Sequence, residues 1–264
     1  MWDLAMQVGR EWLSALRVDT IRYVMFSIPV WFVLWVVLAP LLKGRKIRPD
    51  SPKPAQLVSE FAHSLRSIAV FSTVSLATFA AATAGWFDGP KIAATWGPAW
   101  YWVCLVLMIV AHDAYFYWTH RLIHHPKLFR AFHRRHHKSH NPSPFTAYSF
   151  DIGEAAIQAA FVPLWVLIVP TPWGVAGLFM LHQLARNTIG HSGYELFPAT
   201  RNGKPLFDWL TTVTHHDLHH EKGFNYGLYF TFWDRLMGTE HPDYHARFAA
   251  AVRAKKVVAV AAMA

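Results

Sequence analysis

Cysteine is nearly missing from this chain of 264 residues: one occurs, Cys104, inside an apolar run. A single thiol excludes an internal disulfide framework and any thiolate-rich zinc or iron–sulfur site. A bound metal must therefore be held by nitrogen and oxygen. Acids are scarce as well, 16 against 25 Lys and Arg, which counts against a two-metal hydrolase, whose ions are commonly bridged by carboxylates. No Rossmann glycine fingerprint, CxxCH haem attachment or cysteine set for an iron–sulfur centre is present. Charge of either sign is thin, 16% of residues against 53% hydrophobic, a balance too apolar for an ordinary soluble domain. The expectation is one integral membrane domain.

Long apolar runs support it, since a lipid-spanning helix needs about 20 mostly apolar residues. Val24 to Leu42 is followed at once by "KGRKIRP", Ser67 to Phe87 ends at Asp-Gly-Pro, and Pro98 to Trp118 turns polar only near His112 and Asp113. A fourth region, Ala155 to Leu184, is interrupted at Pro170 and Pro172 and reads as a broken or re-entrant pair. The expected fold is all-α, with about four transmembrane helices and a cytoplasmic histidine-rich helical cap. Its organisation is N-terminal membrane helices and a basic loop over 1–97, a histidine-box region over 98–240, and a C-terminal tail over 241–264. No cleavable signal peptide is expected, because mixed residues precede the first run and no small-residue cleavage site follows it.

Lys43, Arg45, Lys46, Arg48, Lys53 and Arg66 lie between the first two runs, whereas only Lys91 lies between the second and third. Basic residues mark the cytoplasmic side, and the block Arg121 to Lys138 falls on that same side. The histidine-rich segments are thus expected to face the cytoplasm. A net charge of +9 then reads as topology signal and headgroup attraction; with no separate soluble domain, nucleic-acid binding is not expected.

Histidine is the residue in excess. Of 17, fourteen fall between His112 and His220. "HRLIH" sets His120 and His124 four apart on one helical face. "HRRHH" sets His133, His136 and His137 at a three-and-one spacing, and "HHDLHH" repeats it with His216, His219 and His220. Taken singly, each cluster has a plain reading as interfacial rings or a solvated basic helix. Three clusters sharing two spacings point to metal, which needs neutral imidazoles. Eight histidines are too many for one tetrahedral zinc with about four ligands, so two ions are the economical solution. Iron suits imidazole and activates oxygen.

These boxes, with "DAYFYWTHRLIHH" and "HHDLHHEKGFNYG" around them, resemble the fatty acid hydroxylase and sterol desaturase superfamily of integral-membrane di-iron enzymes, over roughly Trp100 to Thr239. The resemblance implies two Fe ions in a histidine cage and O₂ as co-substrate. The reaction it implies is hydroxylation of an unactivated C–H bond of a sterol, fatty-acyl or related membrane lipid, with desaturation as the alternative. It adds His191 as a ninth ligand. It also implies a role for Asn187, one turn earlier, beside a metal or an imidazole, and makes Asp113 an acid that orients a ligand ring. His63, His112, His125, His140, His182, His215, His241 and His245 stay outside the ligand set. Electrons must come from a separate cytochrome, ferredoxin or flavodoxin type of protein. A reading from another class is a membrane metal transporter or sensor, which would favour ionisable residues along mid-membrane helices.

Overall fold

The computed structural model describes residues 2–86 and 88–261. Phe87, the end of the second apolar run, lies outside them. All regular elements among the described residues are helical: α1 Trp2–Phe32, α2 Ala39–Leu42, α3 Pro54–Thr83, α4 Gly89–Ala94, α5 Ala99–Ile123, α6 Pro126–Phe132, α7 Ile152–Ile168, α8 Val175–Gly190, α9 Val213–Lys222, α10 Phe232–Leu236 and α11 Tyr244–Ala261. Short 3₁₀ turns cover Lys43–Arg45, His136–Lys138 and Pro144–Tyr148.

Three helical stretches are long and apolar enough to cross a membrane: Met6–Val37, Pro54–Thr83 and Ala99–Ile123. Their most apolar windows are only 17%, 22% and 28% buried, so most of that apolar surface faces outward. Lipid is the solvent that tolerates it, and the protein is an integral membrane protein. Sequence punctuation sets the ends. Pro54 opens α3 at a position where its missing N–H is not needed, and Gly85, at φ 80°, turns the chain after it.

The fourth apolar region is two helices. α7 has 17 residues, about 25 Å at 1.5 Å per residue, short of the ~30 Å hydrocarbon core. Gly174, at φ 86°, starts α8 after the Pro170–Pro172 break. The Trp100 indole N–H donates to the Pro170 carbonyl at 2.7 Å and pins that break to α5. The pair leaves from the histidines and returns to them: Glu154 near its start lies against His133, and His191, just past its end, lies against His136.

Two apolar clusters hold the bundle. Tyr23, Ile68, Phe71, Tyr148, Phe150, Ala155 and Leu184 join α1, α3, α7 and α8. Cys104, Met108, Phe161, Val175 and Phe179 join α5 to the broken pair. The basic loop docks on the segment that follows α8: Ile47 N–H donates to the Gly193 carbonyl at 3.1 Å, Glu195 N–H donates to the Arg45 carbonyl at 2.8 Å, and the Arg45 guanidinium donates to the Glu195 and Phe197 carbonyls. The segment expected as a tail carries α11, whose Tyr244 and Phe248 are buried against Leu218 of α9.

Candidate metal centre

Nine histidines converge at the end of the bundle, in two groups. His120, His124, His133, His137 and His219 form one; His136, His191, His216 and His220 form the other; within each group the ligand atoms lie within 4.8 Å of one another. Each three-and-one box is divided between them. His133 and His137 go to the five-histidine group and His136 to the other, while on α9 His219 goes to the five-histidine group and His216 and His220 to the other.

Local structure explains the division. The first box closes α5, with His124 as its C-terminal cap residue. The second box departs from the expected helix. α6 stops at Phe132, His133 takes φ −138° and ψ −8°, and only His136–Lys138 resumes as a 3₁₀ turn. Asp151 Oδ2 accepts the Arg135 N–H at 2.8 Å and fixes that turn. The third box is helical on α9. Thr212 caps it by accepting the His215 N–H, and Glu195 Oε2 accepts the Thr214 N–H at 2.8 Å. An acid at a helix start meets the positive end of the backbone dipole. Gly223, at φ 71°, ends the helix, a left-handed position that glycine occupies without strain.

The ring nitrogens point at one another. His120 Nε2 lies 2.9 Å from His133 Nε2, and His219 Nε2 lies 3.2 Å from His124 Nε2 and 2.9 Å from His137 Nε2. In the second group His191 Nε2 lies 3.3 Å, 3.1 Å and 3.0 Å from the Nε2 atoms of His136, His220 and His216. Several rings also turn their other nitrogen to an oxygen. His120 Nδ1 donates to the Tyr226 carbonyl (2.9 Å), His219 Nδ1 to the Phe224 carbonyl (2.7 Å) and His191 Nδ1 to the Asn187 carbonyl (2.7 Å). His133 Nδ1 lies 2.8 Å from Glu154 Oε1. A ring that donates from Nδ1 presents Nε2 as a lone pair, and lone pairs about 3 Å apart repel unless a cation lies among them. Metal–nitrogen bonds of about 2.0–2.1 Å place neighbouring ligand atoms at about this spacing. The residues fit metal.

Burial keeps the rings neutral. It pushes His133, His136, His216, His219 and His220 well below the usual 6.5, with neighbouring imidazoles adding to the effect. Burial lowers His124 too, His137 to about 3 and His191 to about 4. Neutral imidazole is the form that binds metal.

Two expected site residues are placed elsewhere. Asp113 touches no histidine of either group: its Oδ1 accepts the backbone N–H groups of Tyr229 and Phe230 at 2.9 and 3.2 Å. The helical face it shares with His120 is where the 229–230 segment docks, so the acid clamps backbone. The Asn187 side chain likewise bonds elsewhere, donating from Nδ2 to the Ala147 carbonyl at 2.6 Å; its backbone carbonyl is what holds His191. The acid beside a ligand ring is Glu154, which sequence reasoning missed. Its signal was present, an ionisable residue at the head of the apolar run "EAAIQAAF". The carbonyls of Phe224 and Tyr226 carry no side-chain signature. His215 is buried, 3.6 Å from Asp234 Oδ2, outside both groups.

Membrane helices that carry a paired, all-histidine cage able to hold metal define a class, the membrane-embedded histidine-rich proteins. The sequence pattern of the fatty acid hydroxylase family matches residues 105–239. Cholesterol 25-hydroxylase of Mus musculus is 30% identical over 241 residues, covering 83% of this chain and 73% of that protein. Methylsterol monooxygenase 1 of Rattus norvegicus is 27% identical over 245 residues, covering 89% and 78%. Lathosterol oxidase of Rattus norvegicus is 28% identical over 149 residues, covering 54% and 48%. No solved structure matches the chain. The chain belongs to the fatty acid hydroxylase family and is an enzyme of that family.

Proposed function

We propose that the two histidine groups hold two irons and that the protein uses O₂ to hydroxylate an unactivated C–H bond of a membrane lipid of the sterol or fatty-acyl kind. The observation that carries this reading is the division of nine histidines into groups of five and four with Nε2 atoms converging in each. When bound, the irons supply the oxidising chemistry that no side chain has: one oxygen atom goes to the lipid, and the other leaves as water with two electrons and two protons from outside. The chain's own residues position and exclude. The Phe224, Tyr226 and Asn187 carbonyls and the Glu154 carboxylate fix ring orientation. Phe116 packs at 4.8 Å on His120 and Phe150 at 5.2 Å on His136, walling the membrane side of the cage.

The lipid enters from the bilayer through a cavity of about 820 Å³ bounded by α1, α3, α7 and α8, within the range of about 300–1,000 Å³ usual for ligand sites. The two electrons come from a separate cytochrome, ferredoxin or flavodoxin type of protein, drawn to a basic face on the cytoplasmic side. Comparing lipid extracts of aerobic cells with and without the gene by mass spectrometry tests the reading. A lipid heavier by one oxygen atom is expected. A lipid lighter by two hydrogens instead assigns desaturation, and no change in either sense contradicts the proposal.

A further inference from the structure

The cavity wall is mostly apolar, but several of its polar residues lie toward the histidine end. His112 stands on α5 eight residues before His120, Gln183 on α8 eight residues before His191, and Gln158 on α7 one turn beyond Glu154. Eight residues make about 12 Å of helix and four about 6 Å, so these residues lie one to two turns to the membrane side of the histidine cage. One aromatic ring separates the two. Phe116 lies 6.1 Å from the His112 ring and 4.8 Å from His120; Phe150 lies 6.2 Å from Tyr148 and 5.2 Å from His136. Beyond these residues the cavity runs away from the histidines, past Phe79 to Pro90 and Trp173 at the far ends of the helices. The polar residues therefore mark the end of the cavity nearest the cage.

Among the residues that line the cavity, two buried polar atoms lack a partner. His112 Nδ1 and Gln158 Nε2 are buried with no hydrogen bond. The His112 ring sits among Phe161, Phe179 and Tyr229 at 4.7, 5.0 and 5.5 Å, none of which relieves it. A buried polar atom left unpaired costs about 1–3 kcal/mol. A hydrocarbon tail pushed against this end leaves that cost standing, whereas a hydroxyl removes it, donating to His112 or accepting from Gln158. Four other polar residues of the wall, Tyr148, Gln183, Asp19 and Arg22, have partners. Tyr148 Oη–H donates to Gln183 Oε1 at 2.7 Å, and Asp19 accepts from Arg22 at 3.1 Å and from Ser72 at 3.0 Å. With that ion pair closed on itself, this end offers no free cation, which favours a neutral hydroxyl over a carboxylate or phosphate.

We propose that His112 and Gln158 form a polar subsite for one uncharged hydroxyl of the lipid, so that the lipid lies with its hydroxyl end toward the histidines and its hydrocarbon body along the cavity. The orientation of oxidation rests on the lipid-oxidising reading above; the subsite itself does not. It follows that the oxidised carbon lies close to the hydroxyl rather than at the distant end of the tail.

The test uses the full chain, metal-loaded and without reductant, in lipid nanodiscs. Binding is measured for radiolabelled cholesterol and for the same ring system lacking the hydroxyl, and for octadecanol and octadecane. In at least one pair the hydroxylated member is expected to bind about tenfold tighter, the worth of one hydrogen bond. Gln158→Met and His112→Phe each shrink that preference several-fold while leaving the affinity for the deoxy partner unchanged, and Gln158→Asn restores part of it. Equal affinity within both pairs, as when water already satisfies these atoms, overturns the subsite. A preference untouched in both variants overturns it as well. Turnover with reductant added separates the two readings: a retained preference with no oxidised product upholds the subsite and removes the oxidase reading, and a product oxidised at the tail terminus overturns the orientation.

Discussion

Glu154 is the residue whose removal separates the two histidine groups most cleanly. It is buried, and its Oε1 lies 2.8 Å from Nδ1 of His133, a member of the five-histidine group alone. A carboxylate at that position holds the ring and raises its basicity, and losing such a partner typically weakens metal binding 10–100-fold. Glu154→Gln keeps the volume and replaces the acid by an amide. Metal titration of the purified variant is expected to show one site weakened by about that factor and one unchanged. Two unchanged sites would contradict the assignment. Asp113, by contrast, serves the backbone of Tyr229 and Phe230, and its spacing from His120 misled because a shared helical face says nothing about which partner docks there.

At the scale of elements, α9 carries histidines of both groups, and it is held from outside by the basic loop. Arg48 Nε donates to Asp217 Oδ1 at 2.8 Å, with Asp217 nearly buried and Arg48 about one-fifth exposed. Arg48→Met leaves the carboxylate without its cation, at a cost of about 2 kcal/mol for a charge-assisted hydrogen bond. Lower thermal stability with faster metal loss is the expected result, partly reversed in the Arg48→Met, Asp217→Leu double variant. A single variant that retains metal like the parent would show that the loop does not hold α9. The spacing of the boxes made eight of the nine histidines legible, because helical periodicity and repetition are local signals, and His191 entered only through the family resemblance. The helical state of the second box was not legible, since Asp151, sixteen residues away, captures the Arg135 N–H and stops α6 short. The Pro170 and Pro172 break was readable from proline alone, and α11 was not, its burial depending on contacts with Leu218.

For the whole molecule, the cage is a pH-sensitive structure when metal is absent. The buried imidazoles have folded values below their unfolded value of about 6.5, with His191 at about 4 and His137 at about 3. Above 6.5 both states are neutral and this contribution to stability is complete. As pH falls through 6.5 the unfolded chain takes up protons that the folded cage refuses, and stability drops. Thermal unfolding of the metal-free protein is therefore expected to weaken steadily from pH 6.5 toward pH 4, and a flat profile over that interval would contradict neutral burial of the rings.

The membrane body and the cage serve one proposed reaction, in which outward apolar helices give a lipid access to histidines whose converging ring nitrogens suit a metal. The most direct test is the metal content of protein loaded anaerobically with ferrous ion, followed by exposure to isotopically labelled dioxygen with lipid and a reductant. Two irons per chain, and label carried into the lipid, are the predicted result. A chain that holds no more than one iron, or a lipid product whose oxygen comes from water, would contradict it.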